Sequence, residues 1–239
     1  MFEKLEAAPP DPILGLSAAF REDPRPGKVN LGVGEYRNAE GQTPVLDAVR
    51  EAQKRILASE TTKTYLPIEG TPEYGRAVRQ LLFGDDSAAR EATGSTVTVQ
   101  APGGTGALRL AGDLLHRLFP DSRIWLSGPT WANHEKIFTA AGLQIMTYPY
   151  FDSEANVLDF DAMLRSLLTI PAGDVVLLHG CCHNPTGADP TREQWRQIAG
   201  ILADRGVLPL VDFAYQGLGD GLRADATGDR KSTRLNSSH

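Results

Sequence analysis

The chain has 239 residues, 41% hydrophobic and 23% charged, the balance of a folded protein with a sizeable core, which excludes disorder as an overall description. Its net charge is −6 and its Lys and Arg residues are scattered, so nucleic acid is not an expected partner. No run of about 18 apolar residues occurs and the opening Met1-Phe2-Glu3-Lys4-Leu5-Glu6 lacks a leader pattern, so no membrane association and a cytoplasmic location are expected.

Residues 1–45 are rich in Pro and Gly and read as an N-terminal arm and the start of a small domain, with one short helix over 13–20. Val45, Val49, Ile56 and Leu57 recur at helical spacing, predicting a helix over 43–59, and a second helix is expected over 72–83. From there the period alternates. Strands are expected at 96–100, 123–127, 144–148, 174–179 and 207–212, and helices at 105–118, 133–141, 160–168 and 192–204. Strands alternating with helices of about ten residues or more imply an α/β fold, a mostly parallel sheet with helices on both faces. Residues 46–228 would form this larger domain.

The last eleven residues, from Asp229 to His239, carry no amphipathic period. They resemble an in-frame translation of a sequencing adapter, and the expectation is a non-native tail on a chain whose natural sequence continues differently after about Gly228. A polar terminus is the plainer alternative.

In open parallel sheets, ligands bind beyond the carboxyl ends of the strands. Four such places carry unusual residues. Gly103-Gly104-Thr105-Gly106 would let backbone N–H groups approach an anion at a helix start, which suits a phosphate. It matches neither the dinucleotide fingerprint nor the P-loop. Asp212 ends an apolar strand and is either a cap or the counter-charge of a protonated ring nitrogen, with Tyr215 close behind it. Trp131 is a core plug or a stacking surface, and His134 a structural or a functional histidine.

His179-Gly-Cys181-Cys182-His183 invites a metal, but the cysteine spacing does not match that of zinc sites and no second ligand pair occurs, so none is expected. The two adjacent cysteines also exclude a disulfide scaffold. Asn184-Pro185 is a candidate cis peptide.

Together Pro10-Asp-Pro-Ile-Leu-Gly-Leu16, Asn30-Leu-Gly-Val-Gly34, Tyr65-Leu-Pro, Gly103-Gly-Thr-Gly-Ala-Leu108, Pro129-Thr-Trp-Ala-Asn-His134, Leu158-Asp-Phe-Asp161, His179-Gly-Cys-Cys-His-Asn-Pro-Thr-Gly187 and Asp212-Phe-Ala-Tyr-Gln-Gly217 resemble the class I bacterial aspartate and aromatic amino-acid aminotransferases. The resemblance covers residues 1 to about 228. It implies the fold type I large domain of pyridoxal-phosphate enzymes, incomplete here, and pyridoxal 5′-phosphate as cofactor.

By that resemblance Gly103, Gly104 and Thr105 hold the cofactor phosphate, Trp131 stacks on its ring, and Asp212, supported by His134, pairs with the ring nitrogen. Asn184 and Tyr215 bond its phenolic oxygen. Gly34, Trp131 and Asn184 contact substrate, and Tyr65 reaches the phosphate in a neighbouring subunit, which implies a homodimer. The implied reaction moves an amino group between an L-amino acid, aspartate or aromatic, and a 2-oxo acid.

None of Lys4, Lys28, Lys54, Lys63, Lys136 and Lys231 matches the family's Schiff-base lysine, so this chain alone is expected to be inactive and poorly folded. Glu35 departs from the small apolar residue the family places after Gly34. The alternatives are a lyase or decarboxylase of the same fold, and a non-catalytic phosphate-binding fragment.

Overall fold

The computed structural model describes residues 16, 19–28, 34, 36–84 and 96–226. The chain divides into two compact units, Met1–Lys63 and Thr64–His239. The first contains helix α1 (Asp47–Ser59), and residues 19–22 are also helical. Within the expected 13–20 helix Leu16 is also helical; residues 13–15 and 17–18, Glu35 and the 229–239 tail lie outside the described residues. Helix α1 begins four residues later than the apolar period suggests. Pro44 disfavours helical backbone at the residue before it and cannot donate into a helix, so 43–46 enter as an extended segment.

The second unit begins with α2 (Pro72–Phe83), whose N-cap Thr71 accepts the Tyr74 N–H. Its body is α3 (Gly103–Leu118), β1 (Arg123–Gly128), α4 (Ala132–Ala140), β2 (Gln144–Pro149), the short pair β3 (Phe151–Asp152) and β4 (Val157–Leu158), α5 (Phe160–Leu167), β5 (Val175–His179), α6 (Arg192–Arg205), β6 (Leu208–Asp212) and α7 (Leu222–Asp225). Four strands form a parallel sheet in the order β2-β1-β5-β6, and β3 and β4 form an antiparallel pair. The expected α/β layering is present.

Residues 96–100 are a correction: they form no strand. A strand exists only through ladder bonds to a neighbour, and the Gln100 N–H instead donates to the Glu69 carbonyl, a loop crossing. Helix α3 is a second correction, since it starts at Gly103, two residues before expectation. The glycines sit inside its first turn.

Side-chain alternation along β5 sorts the core. Val175 and Leu177 face a cluster with Leu108 and Leu115 of α3 and Ile137 and Phe138 of α4. Val176 and Leu178 face the other, with Met163 and Leu167 of α5 and Trp195, Ile198 and Leu202 of α6. Since successive strand residues point to opposite faces, α3 and α4 cover one face and α5 and α6 the other. All five residues of β5 are buried, as a central parallel strand requires.

The order has a functional consequence. After β1 the chain leaves toward α4 on one face, and after β5 it leaves toward α6 on the other. The loops following two adjacent strands therefore part, opening a crevice at their carboxyl ends.

Caps fix where these loops stop. Thr191 and Gln194 form a reciprocal capping box at the start of α6, and Gly206 closes its end in a left-handed conformation, φ 65°.

Candidate functional site

The crevice holds a pocket lined by Gly104, Leu108, Trp131, His179, Cys181, Asn184, Asp212, Ala214 and Tyr215. Four sequence-distant stretches meet here because each follows a strand end or opens a helix beside one. In the register of β5 and β6, His179 stands opposite Asp212, so both end at the same rim. The Gly180 N–H donates to the Asp212 carbonyl at 2.8 Å, extending that pairing into the loop.

Of the residues singled out in the sequence, Gly104, Trp131, Asn184, Asp212 and Tyr215 line the pocket. His134 lies behind it, fully buried on α4, with Nε2 at 2.8 Å from Asp212 Oδ2. Gly103 and Thr105 flank Gly104 in the first turn of α3 and do not themselves line the pocket. Tyr65 is fully exposed, and Gly34 belongs to the other unit. The Asn184 amide donates to the Tyr215 hydroxyl at 3.3 Å, and the Asn184-Pro185 peptide is cis.

Sequence reading missed Thr130 and the structural part of His179. Thr130 Oγ1 lies 2.8 Å from His134 Nδ1 and 3.0 Å from His179 Nε2. His179 Nδ1 receives the backbone N–H of Asn184 at 3.3 Å. An amide N–H can only donate, so His179 Nδ1 is bare and its proton sits on Nε2, directed at Thr130. Thr130 then gives its own proton to His134 Nδ1, which places the His134 proton on Nε2, toward Asp212.

The chain of bonds thus has one direction, and it ends by presenting Asp212 with a donor. Burial, aided by the nearby His134, depresses His179 to about 4 despite the opposing Asp212 charge, in keeping with a neutral ring. The available signal was the β5–β6 register, which sequence alone does not give.

The mouth of the pocket is suited to an anion. Helix α3 has no side-chain cap, and a Cβ at Gly103 or Gly104 would meet nothing within 4 Å. Its first N–H groups are therefore open, and the helix dipole adds positive potential there. Gly103 has φ 71°, a conformation an L side chain rarely adopts. Trp131 sits edge-on to His134, ring centroids 5.2 Å apart, fixing the indole at the pocket wall.

The donor set fits pyridoxal phosphate: an uncapped helix start for the phosphate, a flat indole for the ring, a carboxylate for the ring nitrogen, and an amide with a phenol for the ring oxygen. Among the described residues, no group of three or more His, Cys, Asp and Glu is placed to hold a metal.

A family model described as aminotransferase class I and II matches residues 26–237. Aspartate aminotransferase of Escherichia coli K12 is 54% identical over 230 residues, 96% of this chain and 58% of the relative. An aromatic-amino-acid aminotransferase of Paracoccus denitrificans is 49% identical over the same span, 96% of this chain and 57% of the relative. Among solved structures, an aromatic amino acid aminotransferase from Burkholderia cenocepacia J2315 superposes with a TM-score of 0.93 at 49% identity, over 98% of this chain and 58% of that one. An aromatic-amino-acid aminotransferase from Burkholderia pseudomallei, covalently bound to pyridoxal phosphate, gives 0.93 at 45%, over 99% and 59%. The chain therefore spans a little under three fifths of the length of the curated relatives it matches.

Proposed function

The chain belongs to the class I and II aminotransferases, and from that premise we propose that its pocket takes pyridoxal 5′-phosphate and that the whole protein moves an amino group between an L-amino acid, aspartate or aromatic, and a 2-oxo acid. The observation that carries the reading is the convergence of Asp212, Trp131, Asn184, Tyr215 and the uncapped start of α3 on one crevice.

When bound, the cofactor supplies an electron sink for the carbon that loses its proton. The protein's own residues do the rest. Gly103, Gly104 and Thr105 offer backbone N–H groups to the phosphate, with the helix dipole behind them. Trp131 presents its indole face to the ring and keeps water from that side. Asp212, which accepts the His134 Nε2 proton in a 2.8 Å hydrogen bond, would pair with the ring nitrogen and favour its protonated form. Asn184 and Tyr215, already bonded to each other, direct an amide and a hydroxyl at the phenolic oxygen. Trp131, Asn184 and, from the first unit, Gly34 are our assignments for substrate contact.

No described lysine lines the pocket, and we assign the amine that anchors the cofactor to a residue outside those described. On this reading the 239-residue chain by itself does not turn over. The fully exposed phenol of Tyr65 suits a role across a subunit boundary, at the phosphate of a neighbouring copy in a homodimer. Two free thiols, Cys181 and Cys182, accord with the reducing cytoplasm as the site of action.

The test is turnover with 2-oxoglutarate and either aspartate or phenylalanine, comparing the full-length protein with the 239-residue chain. Activity in the first and none in the second is expected. An inactive full-length protein would reject the reaction, and an active short chain would reject the assignment of the anchoring amine.

A further inference from the structure

Beneath the pocket lies a buried histidine that neither the comparisons nor the reading above employs. His183 is 1% exposed and lies between two rings, stacked on Tyr150 at 3.9 Å between centroids and packed against His179 at 4.2 Å with the two imidazoles tilted by 37°. Each nitrogen meets a hydroxyl: Nδ1 lies 2.8 Å from Thr186 Oγ1 and Nε2 lies 2.9 Å from Ser127 Oγ.

A backbone group at one end gives this chain a direction. The Ala188 N–H donates to Thr186 Oγ1, and the Thr186 proton is then assigned to His183 Nδ1. With that assignment the His183 proton sits on Nε2, toward Ser127 Oγ. The buried Tyr148 phenol donates its own proton to the Leu177 carbonyl at 2.9 Å. The backbone N–H of His183 itself donates to Asp189 Oδ1 at 2.8 Å, tying the loop that carries Asn184. The titratable groups facing His183 are thus His179 on β5, Tyr150 and Tyr148 on the β2 side, and Asp189 in its own loop.

We infer that His183 is a positioning residue: by packing against the His179 ring while both its own nitrogens are held and its other face is stacked on Tyr150, it keeps His179 in the pose that directs the proton of His134 toward Asp212. Two directional chains then run side by side, one from the Asn184 N–H to Asp212 and one from the Ala188 N–H to Ser127 Oγ. The tilted imidazoles of His179 and His183 bring them into contact. The consequence for the cofactor nitrogen rests on the function proposed above, but the proton positions do not.

The experiment is 15N spectroscopy of the histidine rings in full-length protein labelled at histidine, without added cofactor. Expected are a protonated Nε2 and a bare Nδ1 for His183 and His179, unchanged between about pH 5 and about pH 9. Thr186→Val removes the donor to His183 Nδ1 at nearly constant volume, and should leave both His183 and His134 as mixtures of ring tautomers. His183→Phe keeps a stacked ring without its two bonds and should disturb His134 in the same way, while His183→Gln, which retains an N–H for Ser127, should restore it toward wild type.

A proton on His183 Nδ1, or a His134 signal unchanged in both Thr186→Val and His183→Phe, would overturn the inference. Wild-type rings behaving as expected, the Thr186→Val response included, in a protein that takes up no pyridoxal phosphate would uphold it and reject the functional reading instead.

Discussion

His134 Nε2 lies 2.8 Å from Asp212 Oδ2, although 78 residues separate them in the chain. One comes from the helix after β1 and the other from the end of β6, with β5 between those strands. The imidazole is fully buried and also within hydrogen-bond distance of Thr130, so it is a fixed donor to the carboxylate. His134→Ala should cost about 2–4 kcal/mol of unfolding free energy, from the void beside Phe138 and from the Thr130 proton left without its acceptor, the hydroxyl keeping its bond from His179. Urea denaturation measures it, and a loss below about 0.5 kcal/mol, the range of surface substitutions, would contradict the account.

The buried histidines predict that stability falls as the pH drops below neutrality. Burial lowers His183 to about 3, helped by His179 and His134, and lowers His179 to about 4. Both folded values lie below the unfolded value near 6.5, so their contribution is complete above that pH and is lost as the unfolded state takes up protons below it. Near pH 5 each ring should cost about 2 kcal/mol relative to neutrality. Urea midpoints recorded from about pH 7.5 to about pH 5 should fall, and should fall less in His183→Phe.

Gly180 has no room for a side chain. A Cβ there would lie 1.8 Å from Phe213 Cδ2, because the loop after β5 passes directly over the residue after Asp212. Gly180→Ala should therefore displace the Phe213 ring and cost about 1–3 kcal/mol of stability. It should also weaken any ligand bound against Asp212, and a variant with wild-type melting would refute the close approach.

Asp225 secures the segment that follows Tyr215. Burial opposes its ionised form, but the amides of Gly217, Asp220, Gly219 and Gly221 together outweigh that and hold its carboxyl below the usual range. Its folded value being depressed, its stabilisation is present above about pH 4 and is lost as pH falls through the folded value. Asp225→Asn can accept on only one atom and should lose about 1–3 kcal/mol near neutrality. Proteolysis of the 214–226 segment reports the loosening.

Much of this was legible because apolar runs and strand–helix alternation are local. The four-residue apolar run Val175–Leu178 of β5 and the period of α6 needed no tertiary information. Residues 96–100 misled for the opposite reason, since β-rich composition cannot supply a ladder partner. Asp212, Asn184 and Trp131 could be picked out because unusual residues after a strand stand at the rim. Thr130 could not, since a threonine between Pro129 and Trp131 signals nothing until the sheet order brings His179 beside it. Likewise the pair His179 and His183 read as a failed metal motif, and the ring contact that gives them a role depends on the loop turning back under β5.

The central claim is that one pocket sets Asp212, Trp131 and the start of α3 around one flat, phosphorylated ring, and its most direct measurement is titration of full-length protein with pyridoxal phosphate, read by quenching of tryptophan emission. Wild type should saturate, Asp212→Ala should bind at least about tenfold more weakly, about 1.4 kcal/mol, and Trp131→Phe should lose most of the quench while still binding. Equal affinity in wild type and Asp212→Ala, or a full quench in Trp131→Phe, would contradict it.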